Sequence, residues 1–229
     1  MTKVKVCGIT VWEDARRALD LGADFLGFIF VPSPRRIDPA AARDIVRRLP
    51  AGAQTVGVVR NLAPAAIDAL RASVGFGWVQ LHGDESPETA RRYHPRVIRA
   101  FSTYRRGVAT FRPFAGAVLL LDQPKHLPRR GGGPASRPAA GGRPPAGPRL
   151  HRRPGGIPDA FLHLARRAKR FGRVLLAGGL DPDNVGEWVD RLRPWGVDVA
   201  RGVEAYPGRK DPAKLKAFFE AVRSARQAP

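Results

Sequence analysis

Cysteine, methionine and long apolar runs are all scarce in this chain of 229 residues. Its one cysteine, Cys7, excludes an internal disulfide, and the lack of disulfides is typical of a reducing compartment. The longest apolar run, FLGFIFVP at 25–32, is far shorter than the ~20 residues that cross a bilayer. No secretory signal follows the opening TKVK. We therefore expect a cytoplasmic protein with no membrane partner.

Acidic residues are half as numerous as basic ones, 20 against 40, which gives a net charge of +20. Such an excess is compatible with nucleic-acid binding. Eight of the basic residues fall in 123–157, a stretch with no acidic residue and no aromatic residue to stack on bases. The rest of the excess is spread along the chain. We expect a solvated arginine-rich surface, and a nucleic-acid-binding protein acting through 123–157 is the alternative.

Short β-branched runs alternate with amphipathic helical patterns along most of the chain. Strands are predicted at 3–7, 24–30, 53–59, 77–81, 96–101, 116–122, 173–177 and 196–200. Helices are predicted at 11–22, 38–49, 64–72, 86–93, 159–171, 182–192 and 211–226, with a degenerate one before 114. Eight such units favour parallel strands joined by crossover helices. We predict a single (β/α)8 TIM-barrel domain over 1–229.

The alternation fails after the sixth strand. Residues 124–158 contain nine prolines and eight glycines and follow neither a helical nor a strand period. This composition is typical of irregular chain. We predict a long Pro/Gly/Arg-rich insertion over 123–158, within the barrel domain.

In such barrels the active site lies at the C-terminal ends of the strands. Each chemically reactive residue there also has a structural interpretation, such as a buried small hydrophobe for a cysteine or a helix cap for an aspartate. Their joint placement at one end of successive strands favours function. The candidates are Cys7, Arg35, Arg36, Gln80, His82, Asp122, Gly178, Gly179 and the Arg201–Glu204 segment.

Two glycine turns indicate the class of ligand. Gly178 and Gly179 follow the seventh strand and precede a predicted helix start, and Arg201 and Gly202 follow the eighth strand. Glycine lets backbone N–H groups approach an anion, which the helix dipole also favours. Phosphates often bind at these two loops of the fold. The pattern predicts a small phosphorylated substrate.

Taken together, the chain resembles the phosphoribosylanthranilate isomerase family in motifs that occur in order and at compatible spacing. The motifs are KVCGIT, GFIFVPSPRRI, VGVVRN, VQLHGDE, LLLD, LAGGLDPDNV and VDVARGVEAYPGRKD. Only 123 to about 172 lacks a match. The resemblance implies a (β/α)8 barrel of tryptophan biosynthesis, without cofactor or metal, that acts as a monomer or homodimer.

The resemblance also implies roles for individual residues. The family's reaction is the Amadori rearrangement of N-(5-phosphoribosyl)anthranilate to 1-(2-carboxyphenylamino)-1-deoxyribulose 5-phosphate. It implies that Cys7 is the general base, Asp122 is the general acid, and Arg36 holds the substrate carboxylate, with Arg35 as a possible substitute. A thiolate base calls for a lowered pKa at Cys7, and an acid calls for a raised one at Asp122.

The chain departs from the family pattern at two places. The loop after the sixth strand keeps only Gly131–Gly133 of the family's GG-[ST]-G motif and lacks its FDW-like turn, and Arg201 stands where the family has a small residue. Two origins of the 123–158 segment stay open, a frameshifted stretch and a genuine disordered insertion. A catalytically impaired barrel with a broken loop is therefore an alternative to the active isomerase.

Overall fold

The computed structural model describes residues 1–102, 107–123 and 159–225, in which eight parallel strands close into a barrel. The strands are β1 (Lys3–Cys7), β2 (Phe25–Ile29), β3 (Gln54–Val59), β4 (Trp78–Leu81), β5 (Val97–Phe101), β6 (Val118–Asp122), β7 (Val174–Ala177) and β8 (Gly196–Val199). Each strand pairs with its neighbours in chain order. The ring closes between β1 and β8, where Lys5 lies opposite Asp198. The predicted (β/α)8 barrel is confirmed.

Helices surround the barrel on its outer side. They are α1 (Trp12–Asp20), α2 (Pro39–Arg48), α3 (Pro64–Val74), α4 (Pro87–Arg92), α5 (Asp159–Ala168), α6 (Val185–Leu192) and α7 (Pro212–Ser224). Asp38, Ser86 and Asp211 cap α2, α4 and α7 through side-chain oxygens that accept backbone N–H groups. A proline follows each of these caps, as expected where the first helical N–H needs no partner.

Three elements differ from the prediction. Two 3-10 turns, Gly107–Thr110 and Arg112–Phe114, stand where a degenerate helix was expected after β5. Helix α6 begins at Val185, later than predicted, because the Asp181 carboxylate caps a preceding turn by accepting the N–H groups of Asp183 and Asn184, both at 3.0 Å. After β8 the chain forms an unpredicted antiparallel hairpin, β9 (Glu204–Tyr206) and β10 (Arg209–Lys210).

The apolar core has two parts. One fills the barrel interior, and the other lies between the strands and the helices. The interior part consists of Phe25, Val56, Ile98, Ala100, Val118, Leu120, Leu175 and Ala177. These residues fill much of the barrel interior, and two of them, Leu120 and Ala177, also line the cavity described below.

The insertion predicted over 123–158, disordered or frameshifted, lies outside the described residues apart from Gln123. The same holds for the basic stretch on which the nucleic-acid alternative depends. Among the described residues, no helix combines the length and the apolarity that a membrane span requires.

Candidate active site

A cavity of about 420 Å³ opens at the C-terminal ends of the barrel strands. This is the end at which (β/α)8 barrels gather their catalytic groups. Almost all of the residues singled out from the sequence line this one space. They are Cys7, Arg35, Gln80, His82, Asp122, Gly178, Gly179, Arg201 and Gly202.

Cys7, the last residue of β1, has a buried thiol that faces this cavity. It pairs in register with Gly27 of β2. A Cβ atom at Gly27 would lie 2.9 Å from the Cys7 Sγ and 3.0 Å from the Lys5 Nζ, closer than side chains tolerate. Glycine at this position therefore leaves room for both polar groups inside the barrel.

Lys5 lies one inward-facing position below Cys7 on β1, and its side chain is fully buried. Its Nζ donates to the Asp198 Oδ1 of β8 at 2.8 Å. Burial lowers the pKa of Lys5, but the carboxylate of Asp198 and the neighbouring Cys7 outweigh that effect, so the pKa is raised. The ion pair with Asp198 thus favours a positively charged Lys5 beside the thiol.

Burial raises the pKa of the Cys7 thiol above its ordinary value. The positive charges of Lys5 and Lys210 act in the opposite direction, and the negative charge of Asp198 adds to the effect of burial. The net shift is upward, whereas a base was expected to show a lowered pKa. At this site, desolvation of the thiolate exceeds the stabilisation that the two lysines provide.

Asp122 ends β6 and reaches the same cavity from another side of the barrel, with β7 and β8 between it and β1. It pairs in register with Ala177, the residue before Gly178. Gly178 has a φ of +90°, and a Cβ there would collide with the Asp122 carboxylate and lie 2.5 Å from the Gln123 amide nitrogen. The first glycine of the GG pair therefore packs directly on the proposed acid.

The two adjacent arginines of the loop after β2 are placed differently. Arg35 lines the cavity, and its Nε and Nη2 donate to the Glu204 carboxylate at 2.6 to 3.0 Å. Arg36 is exposed and does not line the cavity. Its backbone forms a bridge with Ile29. Arg35, which the sequence offered as a possible substitute, therefore lines the cavity. Arg36, the residue first assigned to the substrate carboxylate, does not.

Glu204 connects Arg35 to Lys210 and, through Lys210, to the backbone of Cys7. Its carboxylate also accepts from the Lys210 Nζ at 3.1 Å, and that ammonium donates to the backbone carbonyl of Cys7 at 2.7 Å. Burial raises the pKa of Glu204, but its bonds with Arg35 and Lys210 outweigh burial and lower it. The hairpin that was not predicted therefore fixes both Arg35 and the backbone of Cys7.

The four residues predicted to hold a phosphate lie together on the β7 and β8 side of the cavity. They are Gly178, Gly179, Arg201 and Gly202. Gly179 has a φ of +67°, and within the described residues its backbone N–H has no hydrogen-bond partner. A Cβ at Gly202 would collide with the carbonyl oxygen of Leu180. The loops thus meet closely enough that only glycine fits between them.

Gln80 and His82, at the end of β4, form a polar pair in the cavity wall. The Gln80 Nε2 lies 3.0 Å from the His82 Nδ1. Burial and the positive charge of Lys5 lower the pKa of His82, which keeps the imidazole neutral. The amide therefore donates to Nδ1 and places the imidazole proton on Nε2. The Gln80 Oε1 is buried without a partner among the described residues, so the pair offers one donor and one acceptor.

Three polar residues of the site were not predicted from the sequence. Lys5, Asp198 and Lys210 are charged side chains at interior positions. The signal for Lys5 was present, because residues 3, 5 and 7 of KVKVC share one face of a strand. In residues 1–102, 107–123 and 159–225, no group of three or more His, Cys, Asp or Glu side chains is arranged to hold a metal ion.

The model of the family "N-(5'phosphoribosyl)anthranilate (PRA) isomerase" matches residues 4–134 and 161–221. The match leaves out 135–160, a shorter gap than the stretch from 123 to about 172 that lacked recognisable motifs. The chain is similar to the N-(5'-phosphoribosyl)anthranilate isomerase of Desulforudis audaxviator, with 40% identity over 98% of this chain and 100% of that one.

Solved structures show the same similarity. One is a phosphoribosyl anthranilate isomerase in complex with reduced 1-(o-carboxyphenylamino)-1-deoxyribulose 5-phosphate, at 33% identity and a TM-score of 0.77 over 98% of this chain and 100% of that one. Another describes monomers generated from the dimeric enzyme of Thermotoga maritima, at 33% identity and a TM-score of 0.75 over 97% and 99%.

Proposed function

Because the chain belongs to the N-(5'-phosphoribosyl)anthranilate isomerase family, we propose that it performs the family's Amadori rearrangement with Cys7 as general base and Asp122 as general acid. The observation that carries this assignment is that the two side chains, from strands far apart in sequence, line one cavity. A pair of groups on different sides of a substrate, one protonated and one not, is what this chemistry requires.

The reaction needs two proton transfers that these groups can supply. Asp122 protonates the furanose ring oxygen, the C1–O bond breaks, and the amine lone pair forms the C=N bond of a Schiff base. The Cys7 thiolate then removes the C2 proton, so that the C–H electrons form a C1=C2 bond and the C=N electrons return to nitrogen. Protonation at C1 and loss of the O2 proton give the ketone and restore both groups.

Binding of the two anionic ends of the substrate is assigned to different parts of the cavity. Gly178, Gly179, Arg201 and Gly202 hold the phosphate, because they combine a positive charge with a backbone N–H, that of Gly179, which has no partner among the described residues. Arg35 takes the carboxylate role first given to Arg36, because Arg35 lines the cavity and uses only Nε and Nη2 on Glu204. Its Nη1 remains for a carboxylate oxygen.

These assignments imply a small phosphorylated substrate as the partner. We further propose a cytoplasmic enzyme that acts without a metal or cofactor, as a monomer or homodimer. Paired variants test the carboxylate site: we expect Arg35→Ala to raise KM for phosphoribosylanthranilate at least tenfold, and more than Arg36→Ala does. A larger rise for Arg36→Ala would favour the assignment made from the sequence.

The decisive assay is the fluorescence decay of freshly generated phosphoribosylanthranilate with purified protein. We expect turnover by the native chain and losses of several orders of magnitude in Cys7→Ala and Asp122→Asn, with unchanged circular dichroism. Full activity in both variants would defeat the assignment. No turnover by the folded native chain would support the catalytically impaired barrel, and sequencing the locus then decides whether 123–158 is frameshifted.

A further inference from the structure

The buried cation at Lys5 has no part in the reaction steps given above. It does not line the cavity, and its side chain is fully buried. Its Nζ donates to Asp198 at 2.8 Å, and a side-chain hydrogen bond with Cys7 is among the causes that raise its pKa. A lysine so placed is costly because a charge loses its hydration, and methionine would fill the same space. An ion pair at this depth therefore calls for an explanation.

The position of Lys5 relative to Cys7 provides an explanation for this buried charge. The Cys7 Sγ and the Lys5 Nζ each lie within 3.0 Å of the point where a Gly27 Cβ would be. The two atoms are thus at most about 6 Å apart, which is within the range over which a charge favours an opposite charge on its neighbour. Since a buried site screens charges weakly, the ammonium acts on the sulfur with little interference from water.

We propose that Lys5 is a positioning residue for the base: its ammonium, held by Asp198, is the counter-charge against which the Cys7 thiolate forms. The proposal rests on the proposed function at one point, because the proposed reaction is what gives the thiolate a use. Asp198 keeps Lys5 protonated and in place, and Gly27 keeps the space between Lys5 and Cys7 open. The lysine does not line the cavity, so it acts through the sulfur alone.

The other charged groups around Cys7 do not replace this contribution. Lys210 also favours the thiolate, but its Nζ is already engaged by the Glu204 carboxylate and the Cys7 carbonyl. Asp198 disfavours the thiolate, and His82 is kept neutral. The remaining charged groups of the cavity wall are Arg35, paired with Glu204, and Asp122, Arg60 and Arg201.

The sole cysteine of the chain makes a direct test possible, because alkylation by iodoacetamide reports on Cys7 only. We would follow carboxamidomethylation by intact mass between pH 6 and 10.5 for the native chain, Lys5→Met, and the double variant Lys5→Met/Asp198→Asn. The double variant keeps the volume and removes both charges, and such replacements of buried ion pairs are often neutral for folding.

We expect the pKa of Cys7 to rise by about 1–3 units in Lys5→Met, because the cation is gone and Asp198 is left unpaired. The rise in the double variant should be smaller. Each unit lowers the thiolate fraction, and with it the alkylation rate at neutral pH, about tenfold. Identical alkylation profiles in all folded variants would overturn the proposal. If Lys5→Met does not fold, the double variant alone decides.

A second readout separates this role from a structural one and from the proposed function itself. We expect kcat/KM at pH 7 to fall with the thiolate fraction in Lys5→Met, with affinity for reduced 1-(o-carboxyphenylamino)-1-deoxyribulose 5-phosphate unchanged within about twofold. Equal losses of affinity and kcat/KM would indicate distortion of the cavity. Alkylation needs no substrate, so it tests Lys5 even if the native chain proves inactive.

Discussion

Replacing Gly178 with alanine tests the contact that positions the proposed acid. Gly178 has a φ of +90°, and its new Cβ would collide with the Asp122 carboxylate. Two costs add. A residue other than glycine in the left-handed region costs about 1–2 kcal/mol, and forcing an extra carbon into a filled space costs a further ~1–3 kcal/mol. We therefore expect the variant to lose about 2–5 kcal/mol of unfolding free energy.

Two other glycines separate these costs. Gly179 has a φ of +67° and Gly22 a φ of +95°, and a Cβ at either meets no atom of the described residues within 4 Å. Gly179→Ala and Gly22→Ala should therefore show only the cost of backbone strain. For a domain of this size, 1 kcal/mol corresponds to about 2–4 °C in Tm. We expect Gly178→Ala to unfold at least roughly 2–4 °C below both controls.

Kinetics of the same three variants show whether the contact matters for chemistry. A displacement of about 1 Å at a reacting group can cost ~100-fold in rate, so Gly178→Ala should lower kcat by about this factor. Gly179→Ala should mainly raise KM, since it alters a backbone N–H assigned to phosphate. Gly22→Ala lies outside the cavity and should leave both constants unchanged. If Gly178→Ala matches Gly22→Ala in Tm and in kcat, Gly178 does not position Asp122.

Two further variants address the polar groups around the cavity. The lowered pKa of Glu204 means that its contribution to stability is present above its ordinary value of 4.5 and is lost as pH falls through the folded-state pKa. The free energy of unfolding measured with denaturant between pH 3 and 6 should therefore depend less on pH in Glu204→Gln than in the native chain. The same variant should raise KM, because it releases Arg35. An unchanged pH dependence would contradict this. Gln80→Met removes an acceptor that is buried without a partner among the described residues, which costs about 1–3 kcal/mol, along with the bond to His82, so Tm should stay within a few degrees. We expect kcat/KM to fall at least tenfold, because the polar pair in the cavity wall is broken. Lower Tm with unchanged kinetics would make Gln80 a core residue only.

The barrel could be predicted from the sequence because its signals are local. Apolar runs mark the strands, and Asp–Pro or Ser–Pro pairs mark the starts of α2, α4 and α7. The same signal was misleading at Asp181-Pro182, where the aspartate caps a separate turn and α6 begins at Val185. The hairpin of β9 and β10 went unpredicted because strands of three and two residues are too short to carry a periodic signal.

The site was harder to predict where neighbouring residues compete for one role. Arg35 and Arg36 are adjacent, so their side chains diverge, and the backbone bridge between Ile29 and Arg36 decides which of them enters the cavity. That bridge is a tertiary contact that no local pattern records. Lys5 and Asp198 were overlooked for a different reason, since a charge inside a strand of valines is normally assigned to the solvent face.

The raised pKa of Cys7 and the cation beneath it follow from one requirement. A base is most effective when its pKa lies near the working pH, whereas a cavity that excludes water raises the pKa of a thiol. The barrel leaves only 6% of Cys7 exposed. A nearby positive charge therefore has to replace part of the stabilisation that water would give the thiolate. Lys5 can supply it permanently only because Asp198 prevents it from losing its own proton. The lone cysteine thus depends on three neighbours, Lys5, Asp198 and Gly27, and of these three Asp198 alone lines the cavity.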